Sequence, residues 1–237
     1  MSSTNRGGTR HPQDFYGTPI WTTHRLLDTW WPFPTGKRFR VLDPCAGDGA
    51  IFRAIVTHPK WDPVAYKKVE FHANELRVGC IPRLRRLGFH RLDGASARGQ
   101  VSHGDFLHDL LPHDAYDMVL TNPPFSKAVE FRETALEVAP VVTLLLRLNF
   151  LSSRSRHDLF QSHMPTQTRI LPNRPCFALN DDGIPGSDST EYAWMTWGRP
   201  VCKVGAIEVL GLTPPAVISA ARATLVTAAK AARKRRA

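Results

Sequence analysis

Apolar positions along the chain alternate between two kinds of pattern. Short apolar or alternating segments read as strands: Arg40-Val41-Leu42-Asp43, then Val69, Phe71 and Ala73 alternating with Glu70 and His72, then the segment from Val101, then Tyr116-Asp117-Met118-Val119-Leu120. A fifth run, residues 141–148, is almost continuously apolar, as suits a parallel strand buried on both faces. Helical patterns lie between them at residues 50–56, 81–87 and 126 to about 137. Four or more strand-then-helix repeats predict an α/β fold with a doubly wound, mostly parallel sheet. An earlier helix is expected over residues 22–31, with Trp21, Leu26, Leu27 and Trp30 on its apolar side and Pro32, Pro34 and Gly36 ending it.

Beyond Phe150 the texture changes. Arg169-Ile170-Leu171-Pro172, residues 192–197 and residues 204–210 read as strands that close the sheet, and residues 180–189 read as a loop. An alanine-rich helix runs from Pro214 into the basic tail Lys230-Ala231-Ala232-Arg233-Lys234-Arg235-Arg236. The expected organisation is a disordered segment 1–13, one domain over 14–212, and a C-terminal helix with tail over 213–237. The apolar side of that helix is a candidate for docking or for pairing two protomers.

Composition narrows the class. The chain has 237 residues, 42% of them hydrophobic, enough for one sizeable core. A formal net charge of +10 favours a polyanionic partner, most often nucleic acid. The four cysteines, Cys45, Cys80, Cys176 and Cys202, form no C-x-x-C pair. They indicate neither a zinc site nor a redox motif, and suit the reduced interior of the cytoplasm. No metal is expected. No run approaches a membrane span, and the first residues lack the apolar core of a secretion signal.

Chemistry-bearing residues gather at the predicted strand ends, where doubly wound sheets bind ligands. Asp43 ends the first strand and opens the turn Pro44-Cys45-Ala46-Gly47-Asp48-Gly49. Gly47 and Gly49 let the backbone turn tightly and approach a ligand, and Asp43 could fix that turn or meet an amine. Glu75 ends the second strand, where such folds hold ribose hydroxyls, and Asp105-Phe106 follows the third with an acid and a ring for an adenine. The fourth strand runs into Asn122-Pro123-Pro124-Phe125. The Asn122 side-chain oxygen can accept from an amine. Pro123 lacks an N–H and fixes its φ, so its carbonyl direction is pre-set. Phe125 offers a ring face to a planar base. Later, Ser152-Ser153-Arg154-Ser155-Arg156-His157 is short, polar and basic, a candidate phosphate-contacting loop through Arg154, Arg156 and His157.

These residues resemble the class I S-adenosylmethionine (SAM)-dependent methyltransferases, and within them the DNA adenine N6-methyltransferases, especially the small stand-alone enzymes of phages and prophages. The turn 43–49 is similar to that family's SAM-binding loop, and residues 122–125 to its catalytic tetrapeptide. Tyr16-Gly17-Thr18-Pro19 resembles the segment that closes over the methionine part of SAM. Residues 174–177 and 191–194 resemble late segments of the phage-type enzymes. The likeness covers roughly residues 14–200. It implies a Rossmann-like fold and transfer of the SAM methyl to the exocyclic amine of adenine in double-stranded DNA. It implies a flipped base, no metal, and a cytoplasmic setting. Implied cofactor contacts are Tyr16, Thr18, Pro19, Asp43, Cys45, Ala46, Gly47, Gly49, Glu75, Asp105, Phe106 and Asn122. Implied catalytic residues are Asn122, Pro123, Pro124 and Phe125.

The same tetrapeptide serves base amines in RNA and protein glutamine amides. Glutamine methyltransferases usually bring an N-terminal helical domain, for which no room is expected before Tyr16. A catalytically silent nucleic-acid-binding protein on this fold is a further alternative, against which the intact tetrapeptide speaks. Larger relatives carry a separate target-recognition domain. Here the room for one is limited to the loops within 152–190 and the C-terminal region, and a symmetric homodimer would suit a palindromic DNA site.

Overall fold

The computed structural model describes residues 17–87, 99–109, 111–177, 190–198 and 206–234. Tyr16, the segment 1–13, the loop 180–189 and Cys202 lie outside the described residues.

Eight strands form one sheet: β1 (Phe39–Asp43), β2 (Val69–Glu75), β3 (Gly99–His103), β4 (Met118–Thr121), β5 (Val141–Arg147), β6 (Gln167–Leu171), β7 (Tyr192–Gly198) and β8 (Ala206–Val209). Their order across the sheet is β3-β2-β1-β4-β5-β7-β6-β8. The first five strands are mutually parallel, β7 runs antiparallel to β5 and β6, and β8 is parallel to β6. The chain winds outward from β1 to β3, then returns past β1 to β4. The reversal of order between β1 and β4 opens a crevice at their carboxyl ends.

Alternation along each strand sends successive side chains to opposite faces. On one face Val41, Val69, Phe71, Met118, Leu120 and Trp194 pack under α1 (Ile20–Thr29) and α2 (Ala50–Val56). On the other, Leu42, Val119, Val142, Leu144 and Trp197 pack under α4 (Ala128–Val138), through Phe131, Ala135 and Val138. A short helix, α3 (Ile81–Arg86), buries Ile81 and Leu84 and leaves its arginines outward. The last helix, α6 (Pro215–Lys234), sets Ala221 against the first of these clusters while most of its described side chains remain exposed.

Three local expectations change. The first helix begins at Ile20 rather than residue 22, because extended Pro19 presents its carbonyl to the Thr22 N–H (3.0 Å) and hydroxyl (2.8 Å). It ends at Thr29: Trp30 has left the helical conformation (φ −138°, ψ 111°), and its ring lies under the Arg169 guanidinium at 5.0 Å. Second, β5 is parallel only to β4, and its other edge pairs antiparallel with β7 over seven register partners. Both faces bury apolar side chains of β5, so the continuous apolar run does not report the direction of its neighbour. Third, residues 152–157 are not an open loop. They form a single 3₁₀ turn, Arg154–Arg156, that feeds α5 (His157–Ser162).

A specific bond as well as packing joins α1 to the sheet. Trp194 in β7 is fully buried, and its indole N–H donates to the Thr22 carbonyl of α1 at 2.9 Å. Trp194→Phe should cost about 0.5–1.5 kcal/mol by removing that bond, since the Thr22 carbonyl keeps its place in the helical ladder, and Trp194→Ala about 3–5 kcal/mol by leaving a cavity as well. Urea midpoints read the difference; an unchanged midpoint for Trp194→Phe would show that the bond adds nothing.

Candidate active site

The site assembles at the β1–β4 crevice. Asp43 is 1% exposed, and its Oδ1 accepts from the Cys45 N–H at 3.1 Å and from the Thr121 hydroxyl at 2.7 Å. The carboxylate thus ties the turn after β1 to the end of β4. In the turn, Gly47 and Gly49 adopt φ of +57° and +79°, the left-handed region that glycine enters without a steric penalty. Gly49 then caps α2, whose N-terminus faces the crevice.

Glu75 at the end of β2 secures the same turn from the other side. Its Oε2 accepts from the Gly47 N–H at 2.7 Å, and its Oε1 accepts from the Arg77 N–H and Nε at 2.9 and 2.8 Å. Asn74, one residue earlier, accepts from the Ala46 N–H at its backbone carbonyl, at 3.0 Å. After β3, the Asp105 carboxylate accepts from the Leu107 N–H at 3.1 Å and so shapes its own loop. The Phe106 ring is 2% exposed and stacks on Phe131 of α4 with centroids 5.5 Å apart.

The tetrapeptide follows β4 directly. Asn122 donates from Nδ2 to the Thr18 hydroxyl at 3.0 Å, a contact that spans 104 residues of chain. Pro123 is buried, Pro124 is half-buried in an extended conformation, and Phe125 opens a 3₁₀ turn, Phe125–Lys127, that leads into α4. The Phe125 ring is braced by Tyr192 (5.6 Å) and Phe177 (6.2 Å), and the Arg147 guanidinium lies over it at 4.9 Å. Arg174 and Glu191, from the two late segments, pair at 2.5 Å.

These groups surround one cavity of about 460 Å³. Of the residues singled out from sequence, Thr18, Asp43, Cys45, Ala46, Gly47, Glu75, Asp105, Phe106, Asn122 and Pro124 line it. Pro19, Gly49, Pro123 and Phe125 do not: Pro19 starts α1, Gly49 caps α2, Pro123 is buried, and Phe125 opens the turn into α4. Sequence reasoning passed over Arg77, Asp48, Ser126 and Lys127, which also line the cavity. Proximity to Glu75 and to the tetrapeptide was the available signal for them.

Burial governs the electrostatics. It pushes the Asp43 carboxyl up to about 7, against the pull of its bonds from Thr121 and Cys45. It raises the Cys45 thiol well above the ordinary range, helped by the neighbouring carboxylates, so Cys45 is an unreactive wall. Burial also opposes ionisation of Glu75, but the hydrogen bonds and charge of Arg77, with the Gly47 N–H, outweigh it and hold the carboxyl below its usual value.

The basic segment lies beyond the carboxyl end of β5, beside a shallow hollow lined by Leu151 and Phe160. Arg154 and His157 are exposed. Arg156 is drawn back: its guanidinium donates to the carbonyls of Phe150 (2.7 Å) and Asn149 (3.2 Å) and lies over the Phe150 ring at 4.8 Å. Among the described residues no group of three or more His, Cys, Asp or Glu is arranged to hold a metal, and no helix is long and apolar enough to cross a membrane.

Comparison with solved structures identifies the architecture. A methyltransferase subunit of a type I restriction-modification system from Streptococcus thermophilus superposes with a TM-score of 0.63 at 13% identity, over 89% of this chain and 52% of its own. A putative class I SAM-dependent methyltransferase from Listeria monocytogenes gives 0.55 at 14% identity, over 93% and 73%. The fold is the Rossmann-like one of the class I methyltransferases. A putative RNA methyltransferase from Pyrococcus horikoshii shares this methyltransferase fold at a TM-score of 0.50 and 16% identity, over 80% and 91%. The chain spans about half the length of the Streptococcus protein. No family model and no curated protein matches the sequence. In this methyltransferase fold the cavity sits at the switch point of the sheet, where the order of strands reverses.

The raised Asp43 pKa carries a signed consequence. The folded protein keeps that proton up to about pH 7, the unfolded chain only to about pH 4. Between those values the folded state binds more protons, so this group's contribution to stability falls as pH rises. Asp43→Asn keeps an oxygen for Cys45 and Thr121 and removes the titration. Relative to wild type it should gain stability from about pH 4 to about pH 8, by at most about 4 kcal/mol at roughly 1.4 kcal/mol per unit. Denaturant midpoints across that range measure it, and a difference independent of pH would refute the raised value.

Proposed function

We propose that this protein is a SAM-dependent methyltransferase that modifies the exocyclic N6 amine of adenine in double-stranded DNA. One observation carries the reading: Asn122, at the head of Asn122-Pro123-Pro124-Phe125, lines the same cavity as the glycine turn, Glu75 and Asp105. An amine-gripping group and a nucleoside-gripping group therefore share one chamber.

The chamber suits SAM. Its volume lies in the range of small-molecule sites. Glu75 at the end of β2 fits ribose hydroxyls, Asp105 fits the adenine amino group, and the backbone at Gly47 can approach a ligand closely. Thr18 and Gly17 wall the side where a methionine moiety would lie. Bound there, SAM supplies an electrophilic methyl group without a metal. The protein's part is positioning. Because Asn122 Nδ2 donates to Thr18, the amide is oriented by a group outside the reaction. Asn122 Oδ1 and the Pro123 carbonyl act as the paired acceptors for the target amine, which draws the nitrogen lone pair out of conjugation with the base and toward the methyl carbon. Phe125, braced by Phe177 and Tyr192, offers the ring on which a flipped base stacks. Such alignment of nucleophile and methyl is the main source of rate.

The net charge of +10 and the exposed Arg154 and His157 at the sheet's carboxyl edge support a nucleic-acid substrate. Double-stranded DNA follows from the likeness of the tetrapeptide and late segments to the phage-type adenine enzymes. Incubation with methyl-labelled SAM and separate pools of duplex DNA, RNA and protein tests it. Label should appear in DNA as N6-methyladenine; label confined to RNA or protein would overturn the substrate, and no label at all would overturn the activity. In the same assay Asn122→Ala should lower turnover by on the order of 10²-fold or more, with SAM affinity changed far less.

Arg154 should contact phosphate. Arg154→Ala should weaken binding to all duplex sequences alike and flatten the log–log salt dependence by about 0.9. Fluorescence anisotropy titrations at several salt concentrations give the slope, and an unchanged slope would remove Arg154 from the interface.

A further inference from the structure

Beneath the cavity a file of hydrogen bonds crosses the sheet on its α4 side. Tyr116, just before β4, donates its hydroxyl to His72 Nδ1 in β2. His72 Nε2 meets the Ser102 hydroxyl of β3 at 3.1 Å, and Ser102 donates to Asn74 Oδ1 at 2.8 Å. Asn74 Nδ2 donates to the Gly104 carbonyl at 3.2 Å. None of these four side chains lines the cavity.

The direction of every bond is fixed from one end. A carbonyl oxygen can only accept, so the nitrogen of the Asn74 amide must face Gly104 and its oxygen must face Ser102. Ser102 must then donate to Asn74 and accept from His72. His72 is accordingly the tautomer with its proton on Nε2, and Nδ1 accepts from the phenol. Burial acts in the same sense at the first two members: it keeps His72 neutral by lowering its pKa, and holds the Tyr116 proton by raising its pKa to about 12.

The far end of the file is what gives it a purpose. Asn74 is also the residue whose backbone carbonyl accepts from the Ala46 N–H of the glycine turn. One residue therefore grips both loops that flank the nucleoside end of the cavity, the turn after β1 through its backbone and the Gly104-Asp105 loop through its side chain. Gly104 is held closely from the other side too: a Cβ there would lie 1.9 Å from the Asp109 carboxylate. Rotation of the Asn74 amide would turn Oδ1 toward the Gly104 carbonyl, oxygen against oxygen, and release Asp105.

We infer that Tyr116, His72, Ser102 and Asn74 form a directional positioning relay that sets the Gly104-Asp105 loop, and so the nucleoside end of the cavity, for the cofactor. This rests on the SAM reading of the cavity. The test is calorimetric titration of SAM and of S-adenosylhomocysteine into the whole protein, with amide exchange followed at residues 104–107. Ser102→Ala removes the hydroxyl that holds Asn74 Oδ1, leaving the amide anchored at Gly104 alone; it should weaken SAM binding by about three- to tenfold, the scale of one neutral hydrogen bond, and speed exchange at 104–107. Ser102→Thr, which keeps the hydroxyl, should restore both. Asn74→Asp, which cannot donate to Gly104, should weaken binding more than Ser102→Ala. A loss of affinity that Ser102→Thr does not restore, or wild-type affinity and exchange in folded Ser102→Ala, would overturn the relay. Wild-type protein that does not bind SAM would overturn the functional reading, and the relay's role toward the cofactor with it; accelerated exchange at 104–107 in Ser102→Ala would then still distinguish a true relay from none.

Discussion

Asp43 ends β1 with a carboxylate almost removed from water, and two distant parts of the chain meet on its Oδ1: the Cys45 N–H two residues on, and the Thr121 hydroxyl 78 residues on. The first bond bends the chain into the glycine turn. The second fixes β4 at the height that delivers Asn122 into the same crevice. A buried carboxyl is costly unless its oxygens are satisfied or it keeps its proton; here two donors meet Oδ1, and burial lifts the pKa to about 7. The geometry of the glycine turn and of the Asn122 end of the cavity is thus referred to a single atom.

Around that point the site is built from strand ends, each doing double duty. Glu75 and Asp105 face the cavity, yet each also accepts backbone N–H groups of its own or a neighbouring loop. A carboxylate restrained in this way is already oriented when a ligand arrives, which reduces the ordering cost of binding. The tetrapeptide is restrained similarly: Thr18 holds the Asn122 amide, and the β7 and late-segment aromatics brace Phe125. The C-terminal third of the domain, which has little of the parallel-sheet pattern, serves the site by backing it.

Charge is partitioned between the cavity and the rim. Asp48, Glu75 and Asp105 outnumber Arg77 and Lys127 on the cavity wall, while the chain as a whole carries a net charge of +10. An acidic chamber suits a cationic, hydroxyl-bearing small molecule, and a basic exterior suits a polyanion. Arg77 stands at the junction, its guanidinium spent on Glu75 at 2.8 and 3.2 Å. Arg156 shows that a basic residue in a basic stretch need not face outward, since two backbone carbonyls and an aromatic ring hold it against the protein.

Much of this was legible in the sequence because it is local. Alternation of Val69, Phe71 and Ala73 with Glu70 and His72 follows from the period of a strand, and it correctly gave the sheet's second member and its acidic end. The turn 43–49 and Asn122-Pro123-Pro124-Phe125 announce themselves by residue type, since only certain backbones and side chains can form a close-approach turn or a rigid pair of acceptors. Periodicity could not say which way β5's second neighbour runs, because a strand buried on both faces looks the same beside a parallel or an antiparallel partner. Nor could it say that Asn122 would meet Thr18, that Thr121 would meet Asp43, or that Asn74 would hold two loops at once. Those pairings join residues from 28 to 104 positions apart. They exist only once the order of strands is set, and that order is decided by how both faces of the sheet are covered, a property of the packed whole and not of any one segment.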